Sequence, residues 1–456
     1  MCGIAGFVSR HSTNIAQTNA VLRSMTETLT HRGPEGEGFW INDNGTVAMG
    51  HRRLKIIDLS EGAAQPMQYD DRYTITYNGE IYNYPELKKE LASKNYIFKT
   101  ESDTEVILAA YACWKEECLG HFDGMFSFVI WDKTEQLLFC ARDRFGEKPF
   151  YFHTAGDSFL FASEMKALWA AAVPRIIQNA QLLHYITLGL VQNIARPDLT
   201  FFEGIYSLQP GHFLTLRLPD FDIQTVNYWD LDKETVDMGI SERDAIEKFS
   251  FLLGRSVQRR LRSDVALGTS LSGGLDSSSI VSLICSSQKK TGTLPDLQTF
   301  SAVFPGFERD ESVYIDEMAK KFPIQNHQIT PGADELFGDF DRLIYHQEEP
   351  FQSLSIYAQF KIYELAKQQG VKVILDGQGA DETIAGYPKY YHWYWQELFR
   401  NSHASVHTAR LAASKKDQKI SWGIKNKLAA YWPGMAASQL EKRAFRQLSD
   451  HPFIEN

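Results

Sequence analysis

The chain of 456 residues is 43% hydrophobic and 23% charged, the balance of a soluble globular protein with two or three domains. Its formal charge of −10 argues against a nucleic-acid partner, because phosphate binding relies on clustered Lys and Arg. Five cysteines, few and odd in number, argue against a disulfide scaffold and for a reducing compartment, expected to be the cytoplasm.

In chain order, the first feature is Cys2, directly after Met1. Removal of that methionine leaves a cysteine with a free α-amine, a nucleophile and a base on one residue. Read alone, Cys2 is better taken as an ordinary small core residue opening a strand over 3–8. No basic segment followed by a long apolar run marks a secretory signal, and no later segment reaches transmembrane length, so membrane insertion is not expected.

Short strands with turn signals dominate the first 200 residues, interrupted by helices expected over 85–94 and from a Ser102-Asp103-Thr104-Glu105 capping box. Hairpins are expected over 126–141 and 148–162. This half reads as an antiparallel α+β domain over 1–210. Within it, Asn78-Gly79 alone suits a hairpin turn, Asp103 a first-turn acid, and Asp143, Arg144 and Lys148 a polar loop with salt-bridge duty. Cys113 and Cys118 lack the spacing of a zinc site.

Pro210-Gly211, Pro219-Asp220 and an acidic stretch over 230–237 place a linker at 211–240. Over 241–456, helices alternate with apolar strands at 265–271, 300–304 and 371–375, which predicts a parallel, helix-covered α/β sheet. The first strand runs into Ser272-Gly273-Gly274-Leu275-Asp276-Ser277-Ser278 and then a helix. Strand, Gly-Ser loop and helix start together aim N–H groups at an anion, and Asp276 suits Mg2+. The Gly-Lys-Ser/Thr ending of a Walker loop is missing.

Ordered segments carry a resemblance: MCGIAGF at Met1, HRGPEGEG at His31, HRRLKIIDL at His51, YNGEIYNY at Tyr77, SDTEVI at Ser102, GMFSF at Gly124, ARDRFGEKPFYF at Ala141, SLSGGLDSS at Ser270 and LDGQGADETIAGY at Leu375. The chain resembles the glutamine-hydrolysing asparagine synthetases. That resemblance implies a four-layer αββα N-terminal-nucleophile sandwich followed by an ATP pyrophosphatase domain. It implies Cys2 as the nucleophile that attacks glutamine, with Asn78 and Gly79 as oxyanion donors. Arg53 is implied to pair with glutamine's carboxylate, and Glu80 and Asp103 with its α-ammonium. ATP is implied to lie on Ser272, Gly273, Gly274, Asp276, Ser277 and Ser278, near Leu271, Ala302, Gly377 and Gln378. Asp276 and Asp381 are implied to share Mg2+. Ammonia released in the first half then amidates an acyl-adenylate in the second along an internal path.

Two departures from the family pattern stand out. Gln378 occupies the position that is glutamate in asparagine-forming members, and a neutral amide is no carboxylate base. The stretch 390–456 shows no match to the segment that completes the synthetase site. Aspartate to asparagine is the default reaction. A different carboxylate, such as a uronic acid of a surface polysaccharide or a secondary-metabolite precursor, is one alternative, and a truncated protein with glutaminase activity only is another. The expected partners are small molecules, with self-association into a homodimer left open.

Overall fold

Apolar residues at alternate positions of Gly3–Ser9 form strand β1, whose Ile4 and Val8 are fully buried. The computed structural model describes residues 1–237, 239–291, 297–308, 310–400 and 424–449. Contacts divide it into two units, residues 1–274 with 278–375, and 275–277 with 376–456.

In the first unit, β1 sits inside a six-stranded antiparallel sheet. Its neighbours are β2 (Glu37–Ile41), β3 (Val47–Arg52), β8 (Tyr151–Ala155), β9 (Ser158–Ala162) and β10 (Ile205–Ser207), in the order β10-β8-β9-β1-β3-β2. A second six-stranded sheet holds β4 (Met67–Tyr69), β5 (Tyr73–Ile81), β6 (Gly124–Asp132), β7 (Leu137–Arg142), β11 (His212–Arg217) and β12 (Asp222–Asn227), in the order β12-β11-β7-β6-β5-β4. Ile4, Val47 and Met49 of the first sheet share a buried cluster with Val129, Trp131, Leu138 and Leu214 of the second. Helices Ile15–Glu27 and Met165–Ala170 cover the outer face of the first sheet, and Tyr84–Ser93 and Asp103–Trp114 that of the second. The expected four-layer αββα sandwich is therefore present.

Three local readings differ. Residues 212–227, expected in the linker, form β11 and β12 and extend the second sheet beside β7, because alternate residues Leu214 and Leu216 are fully buried in its core. Asn78-Gly79 lies inside β5 and makes no turn. Ser102 caps its helix through Thr104 N (3.2 Å), but Glu105 does not close a box, since its carboxylate is taken by the amides of Lys99 and Thr100.

Further along the same unit, β13 (Leu267–Ser270), β14 (Leu297–Ala302), β15 (Ile324–Ile329) and β16 (Val373–Leu375) form a parallel sheet in the order β15-β14-β13-β16. Helices Ser312–Lys321 and Ser355–Gln368 connect its strands, as the alternation predicts. The order reverses at β13, with β14 on one side and β16 on the other. The loop after β13 therefore leaves the sheet at its topological switch point, the usual place for a ligand in open α/β sheets.

The second unit contains helices Ala380–Ile384, Pro388–Arg400, Ile424–Tyr431 and Pro433–Ser449. Its buried anchors are Trp395 and Ala430, and Arg400 donates to the Ala430 carbonyl at 3.2 Å.

Candidate functional site

A cavity of about 610 Å³ opens at the start of β1. Cys2, Arg53, Asn78, Gly79, Glu80 and Asp103 all line it, so the first-half residues singled out by sequence converge on one space. The Cys2 thiol accepts from the Leu54 amide at 3.3 Å, and the Cys2 carbonyl accepts from Arg32 Nε at 2.9 Å. Burial pushes the thiol up from its usual value.

The free edge of β5 makes the second wall. Phe126, opposite Gly79, gives its backbone N–H to Asp143 Oδ2 and its carbonyl to the Asp143 amide. Gly79 is therefore not bonded to β6 at that position, and its N–H points to the outer edge. On that edge the Tyr77 amide goes to Gln65 Oε1 (2.7 Å) and the Ile81 amide to Asp103 Oδ2 (3.0 Å). The Gly79 amide between them faces the cavity. A Cβ at this residue would stand 2.2 Å from the Met125 carbonyl oxygen, so close strand packing explains the glycine. Asn78 Nδ2 is buried without a hydrogen-bond partner among the described residues, an unusual expense for a donor that has no task.

Asp103 also accepts from the Tyr77 hydroxyl at 2.9 Å, yet burial raises its carboxyl to about 6. Burial likewise raises Glu80 to about 7, with Lys148 opposing and Asp103 adding to the rise. Both carboxyls are poised for a cation. Arg53 donates Nη1 to the Ser60 carbonyl at 2.7 Å and Nη2 to the Asp58 carbonyl, which fixes its guanidinium at the cavity rim.

Lys148 also lines this cavity, where sequence gave it only a loop and a salt bridge. Its place was not visible in sequence because a tight turn at 143–148, wrapped around the Asp143 carboxylate, aims it inward. His31 and Arg32, in a loop that the resemblance puts near the glutamine site with a structural part, also line the cavity, and Arg32 holds the Cys2 carbonyl. The cavity continues along Tyr363, Ala366, Val371 and Ile374 of helix Ser355–Gln368 and the β16 region.

After β13, Leu271 is fully buried, with its amide on the Phe300 carbonyl (2.9 Å) and its carbonyl on Ser301 Oγ (2.5 Å). It is a core residue. Ala302 ends the neighbouring strand β14. Gly273 adopts a left-handed φ of +85°, and Ser272 Oγ accepts from the Gly274 amide at 3.2 Å. Ser278 follows in the helix Leu275–Thr291 and gives its amide to the Gly274 carbonyl.

In the second unit, a Cβ at Gly377 would stand 3.1 Å from Asp276 Cβ and 3.3 Å from the Ser277 amide nitrogen. Burial raises Asp276, and the negative charge of Asp381 adds to that rise. Gln378 follows Gly377, whose amide donates to Asp376 Oδ1. Among the described residues no group of three or more His, Cys, Asp or Glu is placed to hold a metal ion, and no helix is long and apolar enough to cross a membrane.

The first half is thus an αββα sandwich with a cysteine directly before a central strand, in a cavity shared with the unpartnered Asn78 Nδ2. Residues 1–229 match the family described as a glutamine amidotransferase domain, and residues 248–452 match asparagine synthase. The second match extends to residue 452. The chain belongs to the glutamine-hydrolysing asparagine synthetase family. It is 36% identical over 399 residues to "Asparagine synthetase [glutamine-hydrolyzing] 1" of Bacillus subtilis, covering 86% of this chain and 59% of that protein. A "Putative asparagine synthetase [glutamine-hydrolyzing] 2" of Methanocaldococcus jannaschii is 34% identical over 88% of this chain and 78% of its own. "Amidase chry2" of Gibberella zeae is 32% identical over 85% of this chain and 59% of its own. The chain thus spans about three-fifths of the length of two of these three relatives.

Proposed function

We propose that the protein is a glutamine-dependent, ATP-driven amidotransferase that converts a carboxylate to an amide, with aspartate as the default acceptor. The observation that carries this reading is the convergence of Cys2, Asn78, Gly79, Glu80, Asp103 and Arg53 on one cavity. Cys2 Sγ attacks the side-chain carbonyl carbon of glutamine, and its proton passes through the Cys2 α-amine to the departing ammonia. The Asn78 Nδ2 and the Gly79 N–H stabilise the oxyanion, and water then releases glutamate from the thioester. Arg53 takes the substrate carboxylate, while Glu80 and Asp103 take its ammonium.

In the second half, the ATP pyrophosphate is assigned to residues 272–278 on their sequence pattern. Burial and the negative charge of Asp381 raise Asp276, a setting that fits a shared divalent cation, so Asp276 and Asp381 are the residues that would hold Mg2+. When bound, that ion neutralises phosphate charge. An acceptor carboxylate oxygen attacks the α-phosphorus, pyrophosphate leaves, and ammonia displaces AMP from the acyl-adenylate. Apolar lining at Ala366, Val371 and Ile374 supports an ammonia route leading away from Cys2. The substrates are small molecules, and the cytoplasm suits their supply.

Gln378 favours a second reading, in which the acceptor is a carboxylic acid without the α-ammonium of aspartate. Glutamate release and pyrophosphate release, measured together with aspartate and with other acids, test both readings. Glutamine-linked pyrophosphate release with aspartate alone supports the default. Release with other acids alone supports the second reading, and no release with any acid rejects the synthetase assignment.

A further inference from the structure

Lys148 is 6% exposed and its backbone is pinned on both sides. Its amide donates to Asp143 Oδ2 at 3.0 Å, and its carbonyl accepts from Arg142 Nε at 2.7 Å. The side chain enters the glutaminase cavity, where Nζ meets the Met1 sulfur at 3.2 Å. A thioether is a weak acceptor, and a buried ammonium held by nothing better is costly. That contact also disappears with Met1. What then faces Nζ is the new N-terminus on β1, Arg32 from the loop before β2, and Glu80 on β5. Asp143 and Glu147 lie on its own turn, and Arg260 from helix Glu242–Arg260 acts on Glu80 and Glu147.

We propose that Lys148 is a positioning residue of the glutaminase site: once Met1 is removed, its ammonium faces the Cys2 α-amine and Glu80 and keeps that amine in the unprotonated form that accepts the thiol proton. The proton balance is closed within the site. It leaves Sγ for the amine as the Sγ–C bond forms, and leaves the amine for the departing nitrogen as ammonia is expelled. In the Met1-bearing chain, burial pushes the N-terminal amine down to about 5; Cys2 opposes that fall, while Arg32 and Lys148 deepen it. Glu80 supplies the counter-charge that lets a lysine remain buried here.

The inference rests on the glutaminase reading. The test is glutamine hydrolysis by the Met1-processed protein from pH 5.5 to 9, for the parent, K148M and K148R, with thermal melts to verify folding. In K148M the amine holds its proton to higher pH, so the acid limb of kcat moves up by about one unit and kcat well below its midpoint falls about tenfold, with little change in KM. K148R keeps the parent limb. Because Glu80 titrates in the same range, the limb is read on kcat at saturating glutamine, where Glu80 already faces the substrate ammonium. An acid limb that stays in place in K148M, or a loss equal at every pH that K148R does not restore, overturns the proposal. If K148M does not fold, K148Q is read in the same way. Absence of glutamine hydrolysis by the parent would instead reject the glutaminase reading itself.

Discussion

Asp264 Oδ2 accepts a hydrogen bond from the Asp58 amide at 2.8 Å, and the Asp264 amide donates to the Ile56 carbonyl at 3.0 Å. The loop so held is the one whose Asp58 and Ser60 carbonyls orient the Arg53 guanidinium. Asp264 stands three residues before β13, the strand that delivers the Ser-Gly loop. The residue assigned to glutamine's carboxylate is thereby tied to the segment that leads into the nucleotide loop. Replacing Asp264 with alanine is expected to raise KM for glutamine about fivefold with kcat nearly unchanged, the loss of about 1 kcal/mol of positioning. An unchanged KM would show that the loop holds Arg53 without this tie.

Glu348 extends the tie from another direction. It ends helix Ala333–Gln347 in a left-handed conformation, and its carboxylate accepts from the Met165 and Lys166 amides at 2.8 and 2.7 Å. Lys166 Nζ bridges Glu348 (3.1 Å) and Glu164 (2.5 Å), and Glu164 takes Arg32 Nη1 at 2.7 Å. Arg32 in turn holds the Cys2 carbonyl. All four side chains are 10% exposed or less. Alanine at 348 strands two amides and leaves the buried Lys166 with Glu164 alone. It is expected to cost about 3 kcal/mol, read as a lower denaturant midpoint.

The glutamine site should weaken in acid. Glu80, raised to about 7, and Asp103, raised to about 6, must both be ionised to hold an ammonium. As pH falls below 7, KM for glutamine is expected to rise, by up to about tenfold per unit for each group that titrates. Stability of the ligand-free protein runs the other way. These carboxyls take up protons in the folded state before the unfolded chain does, so their burial penalty is relieved as pH drops from 7 towards 4.5. Initial rates at pH 6 and 8, with melts at the same pH, check both signs.

The oxyanion edge separates chemistry from packing. Asn78→Ala is expected to lower kcat for glutamine hydrolysis by about 10² to 10³ with a small effect on KM. Gly79→Ala meets the Met125 carbonyl oxygen and the Phe126 Cα and is expected to fail in folding rather than in chemistry. Melting temperatures of the two variants, side by side, make the distinction.

Much of this was legible in sequence because the chemistry-bearing residues sit in short contiguous motifs and their strands alternate cleanly. Cys2, Asn78, Gly79, Glu80 and Asp103 needed only a fold to bring them together. The inward aim of Lys148 and Arg32 was not legible, since each looks like a surface cation until a turn or a buried carboxylate aims it inward. The Asn78-Gly79 pair, taken alone, suits a hairpin turn. Its local preference for a turn is overridden by β6, which packs too closely to admit a Cβ. Strands β11 and β12 were hidden for a similar reason, because Pro219-Asp220 marks their hairpin turn as readily as a linker.

The central claim is that Cys2, freed of Met1, is the nucleophile for glutamine. Peptide mapping by mass spectrometry, after incubation with a glutamine analogue carrying an electrophilic carbon in place of the side-chain amide, tests it most directly. The account predicts a peptide that begins at Cys2 and carries one equivalent of the analogue, with excess glutamine protecting it. An unlabelled N-terminal peptide, or label on Cys113, Cys118, Cys140 or Cys285 instead, would contradict it.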